Sequence, residues 1–332
     1  MNIHKDQNHF LFDSTQARRC CARQARILRV STSVVTTGLG AGAADWLALL
    51  KPRVLTLVVF TGAVGLLIAP QPINPILAAV AIFCITVAAG AAGAINMWYD
   101  RDIDAIMART STRPIPAGRI SPDSGLAFGV VLAILSVLVM GLATNWVAAF
   151  ILAVSIAFYV FIYTIWLKRL TPQNIVIGGA AGAFPPVIGW AAVTGSVSLL
   201  PVLLFAIIFF WTPPHFWSLS LYASGDYERA GVPMLPVVKG ARHTRIAIMV
   251  YTLLLVLVTL APYALGLMGP VYGASALLLG LGFLVYSWRV LNDAQDRLGN
   301  SLNRNAPARA AFRYSILYLF LLFGACAVDR LI

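Results

Sequence analysis

Nine stretches of mostly apolar residues recur along the chain, near 54–70, 76–95, 124–143, 146–166, 174–194, 199–222, 246–267, 270–290 and 311–328. A helix of about 20 such residues crosses the roughly 30 Å of bilayer hydrocarbon. Composition agrees: 60% of the 332 residues are hydrophobic and only 11% are charged, where a soluble domain carries about 25% charged residues. The expected fold is an all-α integral membrane bundle of about nine transmembrane helices. It should fill residues 46–332 as one domain, behind a polar tail at 1–45 expected to be disordered. The connections near Thr144-Asn145 and Met268-Gly269-Pro270 are very short, so the runs flanking each should form a tight helical hairpin.

The formal net charge of +12 raises nucleic acid as a partner, but the positions of the charges exclude it. Of the 24 Lys and Arg residues, all but Arg330 fall in the tail or in alternate loops, or beside them. Basic residues in short loops mark the cytoplasmic side of a membrane, so nine spans place the N-terminus in the cytoplasm. The tail lacks the apolar core of a secretory signal. It suits a bacterial inner-membrane protein, and its Arg-rich, acid-poor character also suits a mitochondrial transit peptide. The four cysteines, Cys20, Cys21, Cys84 and Cys326, show no metal-ligand or redox spacing.

Polar chemistry gathers at the cytoplasmic helix ends. Asn96, Asp100 and Asp104 follow the second run at i, i+4, i+8. A continued helix stacks all three on one face and turns Asp102 away. Acids at this depth are costly unless cations offset them, and Mg²⁺ takes one or two carboxylates together with substrate phosphates. The plainer alternative is a solvated acidic loop paired with Arg101 and Arg109. Asp226, with Glu228 nearby, ends the sixth run and offers a second carboxylate; two such sets could bracket a metal-bound diphosphate. Arg113, Lys168, Arg169, Lys239 and Arg242 lie on the same side and could contact its oxygens, with Lys51 and Arg53 where the first helix enters the membrane. Each is equally explained by positive-inside bias; Arg113, between the acids and Pro114, is the strongest candidate.

His215 sits in Trp211-Thr212-Pro213-Pro214-His215-Phe216-Trp217. The two prolines should break or kink that helix, and irregular backbone at membrane depth implies a protein-lined cavity. His215 is either a contact to the acceptor, with haem iron as one such target, or a histidine hydrogen-bonded between helices. Pro185-Pro186, after a run of small residues that permits close helix approach, predicts a second piece of cavity wall.

Taken together, these segments resemble the UbiA superfamily of intramembrane prenyltransferases, whose first acidic motif, Asn-x-x-x-Asp-x-x-x-Asp, is met by Asn96, Asp100 and Asp104. Asn96-Met97-Trp98-Tyr99-Asp100-Arg101-Asp102-Ile103-Asp104, Arg113-Pro114-Ile115-Pro116, Thr212–Trp217 and Asp226–Pro236 resemble its haem-farnesylating branch in particular. The likeness spans about 46–328. Many members place a second aspartate four residues after the first in the later motif; this chain has Ala230 there.

The resemblance implies Mg²⁺-dependent transfer of a farnesyl group from farnesyl diphosphate to a vinyl group of haem B, giving haem O for terminal oxidase assembly. It implies Asp100, Asp104 and Asp226 as catalytic residues, with Asn96 as a further metal ligand. It also implies Arg53, Arg113, Lys168, Lys239 and Arg242 on the diphosphate, His215 at the acceptor, lipid around the bundle and a downstream haem A synthase as partner. The competing expectations are a prenyltransferase with an aromatic quinone-precursor acceptor and a non-catalytic transporter or assembly factor.

Overall fold

The computed structural model describes residues 41–296 and 299–332, apart from the Arg53 and Val54 side chains. The expected tail therefore lies almost wholly outside the described residues. Thirteen α-helices follow: α1 (Ala43–Leu49), α2 (Pro52–Leu67), α3 (Pro75–Tyr99), α4 (Arg101–Ile106), α5 (Pro122–Ala143), α6 (Trp146–Ala157), α7 (Asn174–Ala183), α8 (Pro185–Thr194), α9 (Leu199–Tyr222), α10 (Ser224–Arg229), α11 (Leu235–Ala264), α12 (Pro270–Leu291) and α13 (Ala306–Leu331). A π-helical stretch, Phe158–Leu167, continues α6. Eight segments are long and apolar enough to span a bilayer, with α6 plus its π-helical continuation and α7 plus α8 each counting as one. Leu55–Leu67 of α2 is a shorter apolar helix. The described residues thus hold close to the nine spans expected.

Local sequence sets the helix starts. Prolines open α2, α3, α5, α8 and α12, a position where the missing N–H costs nothing. Asn74, Ser121 and Asn145 cap α3, α5 and α6 by accepting from Ile76, Ser124 and Ala148 amides, each cap contributing about 1 kcal/mol. Packing runs around a closed ring: α2 on α3, α3 on α5, α5 on α6, the π-helical stretch on α7, α7 on α9, α9 on α11, then α12, then α13, which returns to α2. The ring surrounds an interior to which α2, α3, α7, α8, α9 and α13 all present faces.

Two expectations need correction. The helix around Pro213 and Pro214 is not broken: α9 runs from Leu199 to Tyr222 through both. Neighbouring helices on several sides and side-chain bonds within α9 support it; Thr212 Oγ1 donates to the Ile208 carbonyl and Ser218 Oγ to the Pro214 carbonyl. The other prolyl pair does divide its span, at Phe184 between α7 and α8. Finally, α11 and α13 begin well before the apolar runs at 246 and 311. Hydropathy marks the part that meets lipid, whereas the helical backbone extends past it; α11 absorbs its exit with a turn at Gly240, φ 81°.

Candidate active site

α3 ends at Tyr99 and α4 starts at Arg101, yet the hydrogen-bond ladder carries across. Asp100 N donates to the Asn96 carbonyl at 2.9 Å and Asp104 N to the Asp100 carbonyl at 2.8 Å. The i, i+4, i+8 register therefore survives the joint. Asn96, Asp100 and Asp104 are buried, with relative exposures of 4%, 0% and 2%. Asp102 turns outward to Arg169, at 2.6 Å. That hydrogen bond holds the Asp102 carboxyl below its ordinary value.

Each buried acid has a cation. Lys168 Nζ pairs with Asp100 Oδ2. Arg113 Nη1 lies 2.6 Å from Asp104 Oδ2. Asn96 Nδ2 donates to Asp100 Oδ2 at 2.6 Å and Thr164 Oγ1 at 3.1 Å, while its Oδ1 accepts from Lys51 Nζ at 2.8 Å. Lys168 and Arg169 are aimed by the π-helical stretch, which ends with Lys168 N on the Tyr163 carbonyl. Lys51 holds a left-handed backbone, φ 54°, an arrangement that costs about 1–2 kcal/mol for a residue with a side chain. Burial first, then the charges of Arg113 and Lys168, pull the Lys51 amine down to about 7.

Two features of the donor set suit a hard cation. Asp100 Oδ1 is buried and accepts no hydrogen bond; Arg169 Nη2 is 3.6 Å away. Such an atom is expensive unless a ligand meets it. Asp104 adds a second buried carboxylate one helical turn on, and Mg²⁺ usually takes one or two carboxylates together with substrate phosphates and water. Among the described residues no three His, Cys, Asp or Glu side chains converge on one point. The positive side chains around the two buried carboxylates favour a polyanion beside them.

Beyond Lys51 the ring encloses a chamber of 520 Å³. Ala88, Ala89 and Ala92 of α3 form one wall and Tyr159 and Tyr163 another. On the far side His215 is sandwiched between Trp211 and Phe312, ring centroids 4.3 and 4.6 Å away. Its Nδ1 lies 2.7 Å from Ser315 Oγ. His215 thus bonds between helices, as one expectation had it, and also lines the chamber.

The later acid loop packs beside the first. Ile103 and Met107 share an apolar cluster with Tyr227 and Ala230, and Arg109 Nη2 donates to Tyr227 Oη at 3.3 Å. Asp226 sits on α10, partly exposed and paired with Arg229, and Glu228 is exposed. Ala230 is buried in that cluster, which explains why this position carries no carboxylate here: it faces packing. Lys239 and Arg242 are exposed on α11, and the Arg53 side chain lies outside the described residues. The structure thus brings together Asn96, Asp100, Asp104, Arg113 and Lys168, with Asp226 on the loop packed beside them, while Lys239 and Arg242 are exposed. Sequence reasoning placed Lys51 where the first helix enters the membrane but not on Asn96, and passed over Thr164 and Ser315. Lys51 stands before Pro52, which disfavours a right-handed helical backbone; nothing local marked Thr164 or Ser315.

The UbiA prenyltransferase family model matches residues 58–326. The chain is 71% identical over 313 residues to a protoheme IX farnesyltransferase of Acidiphilium cryptum, covering 92% of this chain and 99% of that one. It is 68% identical to a protoheme IX farnesyltransferase of Granulibacter bethesdensis, covering 88% and 92%. Among solved structures, a digeranylgeranylglyceryl phosphate synthase superposes with TM-score 0.70 at 19% identity, covering 86% and 98%. A UbiA homolog from Archaeoglobus fulgidus bound to GPP and Mg²⁺ superposes with TM-score 0.59 at 17% identity, covering 84% and 99%. At those identities the superpositions establish the fold.

Proposed function

The chain belongs to the UbiA prenyltransferase family, and from that membership we propose how its buried acids and chamber act: it transfers the farnesyl group of farnesyl diphosphate to a vinyl group of haem B, giving haem O. The observation that carries the assignment of roles is the single buried face shared by Asn96, Asp100 and Asp104, with Lys168 and Arg113 upon it.

Asn96, Asp100 and Asp104 would hold Mg²⁺, with Asp226 contributing from the neighbouring loop. Bound there, Mg²⁺ neutralises a diphosphate and makes it a better leaving group. Arg113 and Lys168 bear on the same oxygens and stabilise the charge that grows on them as the allylic C–O bond loosens. Lys239 and Arg242, in water, attract the diphosphate from a distance, with Arg53 at the mouth of α2. The apolar walls keep water from the allylic electrophile until C1 of the farnesyl group bonds the terminal vinyl carbon. Water then adds at the inner vinyl carbon and loses a proton, leaving a hydroxyl there and free pyrophosphate. His215 would orient the acceptor, its Nε2 being the atom available to haem iron.

The setting is a bacterial inner membrane with the N-terminus and the acids on the cytoplasmic face, as the basic loops favour. A haem A synthase would take the product onward. The test is mass spectrometry of haem from membranes making this protein, with and without EDTA. Farnesylated haem that disappears with EDTA and returns with Mg²⁺ is expected. A prenylated aromatic acid in its place would overturn the haem assignment, and unchanged product under EDTA would overturn the metal.

A further inference from the structure

We propose that Ile85 sets the length of isoprenoid that the chamber accepts, as the stop at the end of a lane running along α3 from the acids. The inference rests on the farnesyl-transfer reading above and concerns the selection of the donor.

Asn96, Ala92, Ala89 and Ile85 fall at i, i+4, i+7 and i+11 counted back along α3, which is one helix face. Ala92, Ala89, Ala88 and Ile85 line the chamber. The first three keep the lane open because each carries a single methyl; Ile85 is the first large side chain met on that wall. It is 2% exposed and firmly held. A Cβ built on Gly62 would lie 3.2 Å from Ile85 Cδ1 and 3.5 Å from Pro185 Cβ, so α2, α3 and α8 meet at this point. Just beyond it α2 and α8 touch backbone to backbone: a Cβ on Gly189 would overlap the Gly62 carbonyl, and one on Gly65 the Pro186 carbonyl. Ile85, Leu152 and Ile188 belong to one buried cluster and also line the chamber. They close its end remote from the acids.

The lengths agree. Eleven residues at 1.5 Å each put Ile85 about 16 Å from Asn96 along the helix. An extended chain gains about 3.5 Å per three bonds, so the twelve bonds from the bridging oxygen to the tip of a farnesyl main chain reach about 14 Å, the eight of geranyl about 9 Å and the sixteen of geranylgeranyl about 19 Å. Farnesyl fills the lane, geranyl leaves its end empty, and geranylgeranyl runs into Ile85.

The test is a competition assay with haem B and equal geranyl, farnesyl and geranylgeranyl diphosphates, read as the ratio of the three haem products. A ratio does not depend on how much protein is folded. Ile85→Ala should raise the geranylgeranyl-to-farnesyl ratio at least tenfold. Ala89→Leu, which blocks the lane halfway, should raise the geranyl-to-farnesyl ratio by a similar factor. If farnesyl-haem forms and neither ratio moves, the proposal is wrong. If Ile85→Ala makes no product, Ala89→Leu decides alone: an unchanged geranyl ratio overturns the stop. Absence of any prenylated haem from the wild-type protein would instead defeat the reaction assigned above.

Discussion

Ser315 Oγ lies 2.7 Å from His215 Nδ1 and gives its own proton to the Phe312 carbonyl, also 2.7 Å away. A hydroxyl has one proton to donate, so it accepts from the histidine. Nδ1 therefore carries the hydrogen and Nε2 keeps its lone pair, the tautomer that binds a metal. No hydrogen bond among the described residues reaches Nε2. Ser315→Ala removes the atom that fixes this tautomer, and second-shell losses of that kind typically weaken metal binding by about 10–100-fold. Titrating haem against the purified variant should show that loss in the Soret shift, with the KM for farnesyl diphosphate unchanged. Equal haem affinity in variant and wild type would remove His215 from the acceptor site.

Asp100→Asn and Asp104→Asn keep size and remove charge. Each should lower haem O formation by more than about a hundredfold, the scale of losing a principal electrostatic group. Both proteins should still accumulate in the membrane, because the amide can bond to the neighbours that the carboxylate held. Haem O at wild-type levels in either variant would separate the buried acids from the chemistry.

Arg113 pairs with a buried carboxylate, whereas Lys239 and Arg242 stand in water. Their losses should differ in salt dependence. Arg113→Ala should depress kcat/KM for farnesyl diphosphate by a factor that persists at high ionic strength. Lys239→Ala and Arg242→Ala should act by less than about tenfold through long-range attraction, and exposed charges beyond about 10 Å are screened at 0.1 M salt. Their deficit should therefore vanish when activity is measured in added KCl. A salt-resistant deficit at Arg242 would place it against the diphosphate.

Gly65 and Gly189 lie where α2 crosses α8 with no room for a methyl. Gly65→Ala or Gly189→Ala must push the helices apart, and overpacking of this kind costs on the order of 1–3 kcal/mol. Thermal unfolding in detergent should show a lowered midpoint for both. Gly182→Ala, with nothing within 4 Å of the added carbon, should leave the midpoint unchanged or raised.

How much of this was legible beforehand depended on whether the signal was local. Apolar length gave the spans, and helical spacing gave the shared face of Asn96, Asp100 and Asp104, because both follow from geometry within one segment. The joint at Asp100 did not disturb that face, since the i→i+4 bonds continue across it. What stayed hidden lay between segments. Lys51 reaches Asn96 across 45 positions and His215 reaches Ser315 across 100, and neither partner advertises the other. The prolines misled for the same reason: Pro213 and Pro214 are tolerated inside α9 by support from surrounding helices, which a local rule does not see.

The π-helical stretch Phe158–Leu167 has a consequence for how this span tolerates change in length. Wide turns take up more residues than an α-helix of equal height, so the segment carries surplus chain, a device that recurs near functional sites. Deleting one residue there removes the surplus and lets ordinary turns reform at much the same height, so Lys168 and Arg169 keep facing Asp100 and Asp102; a further deletion has no slack to draw on and swings both away by about 100°. The membrane fixes how tall this helix must be, and the wide turns give its length one residue of tolerance.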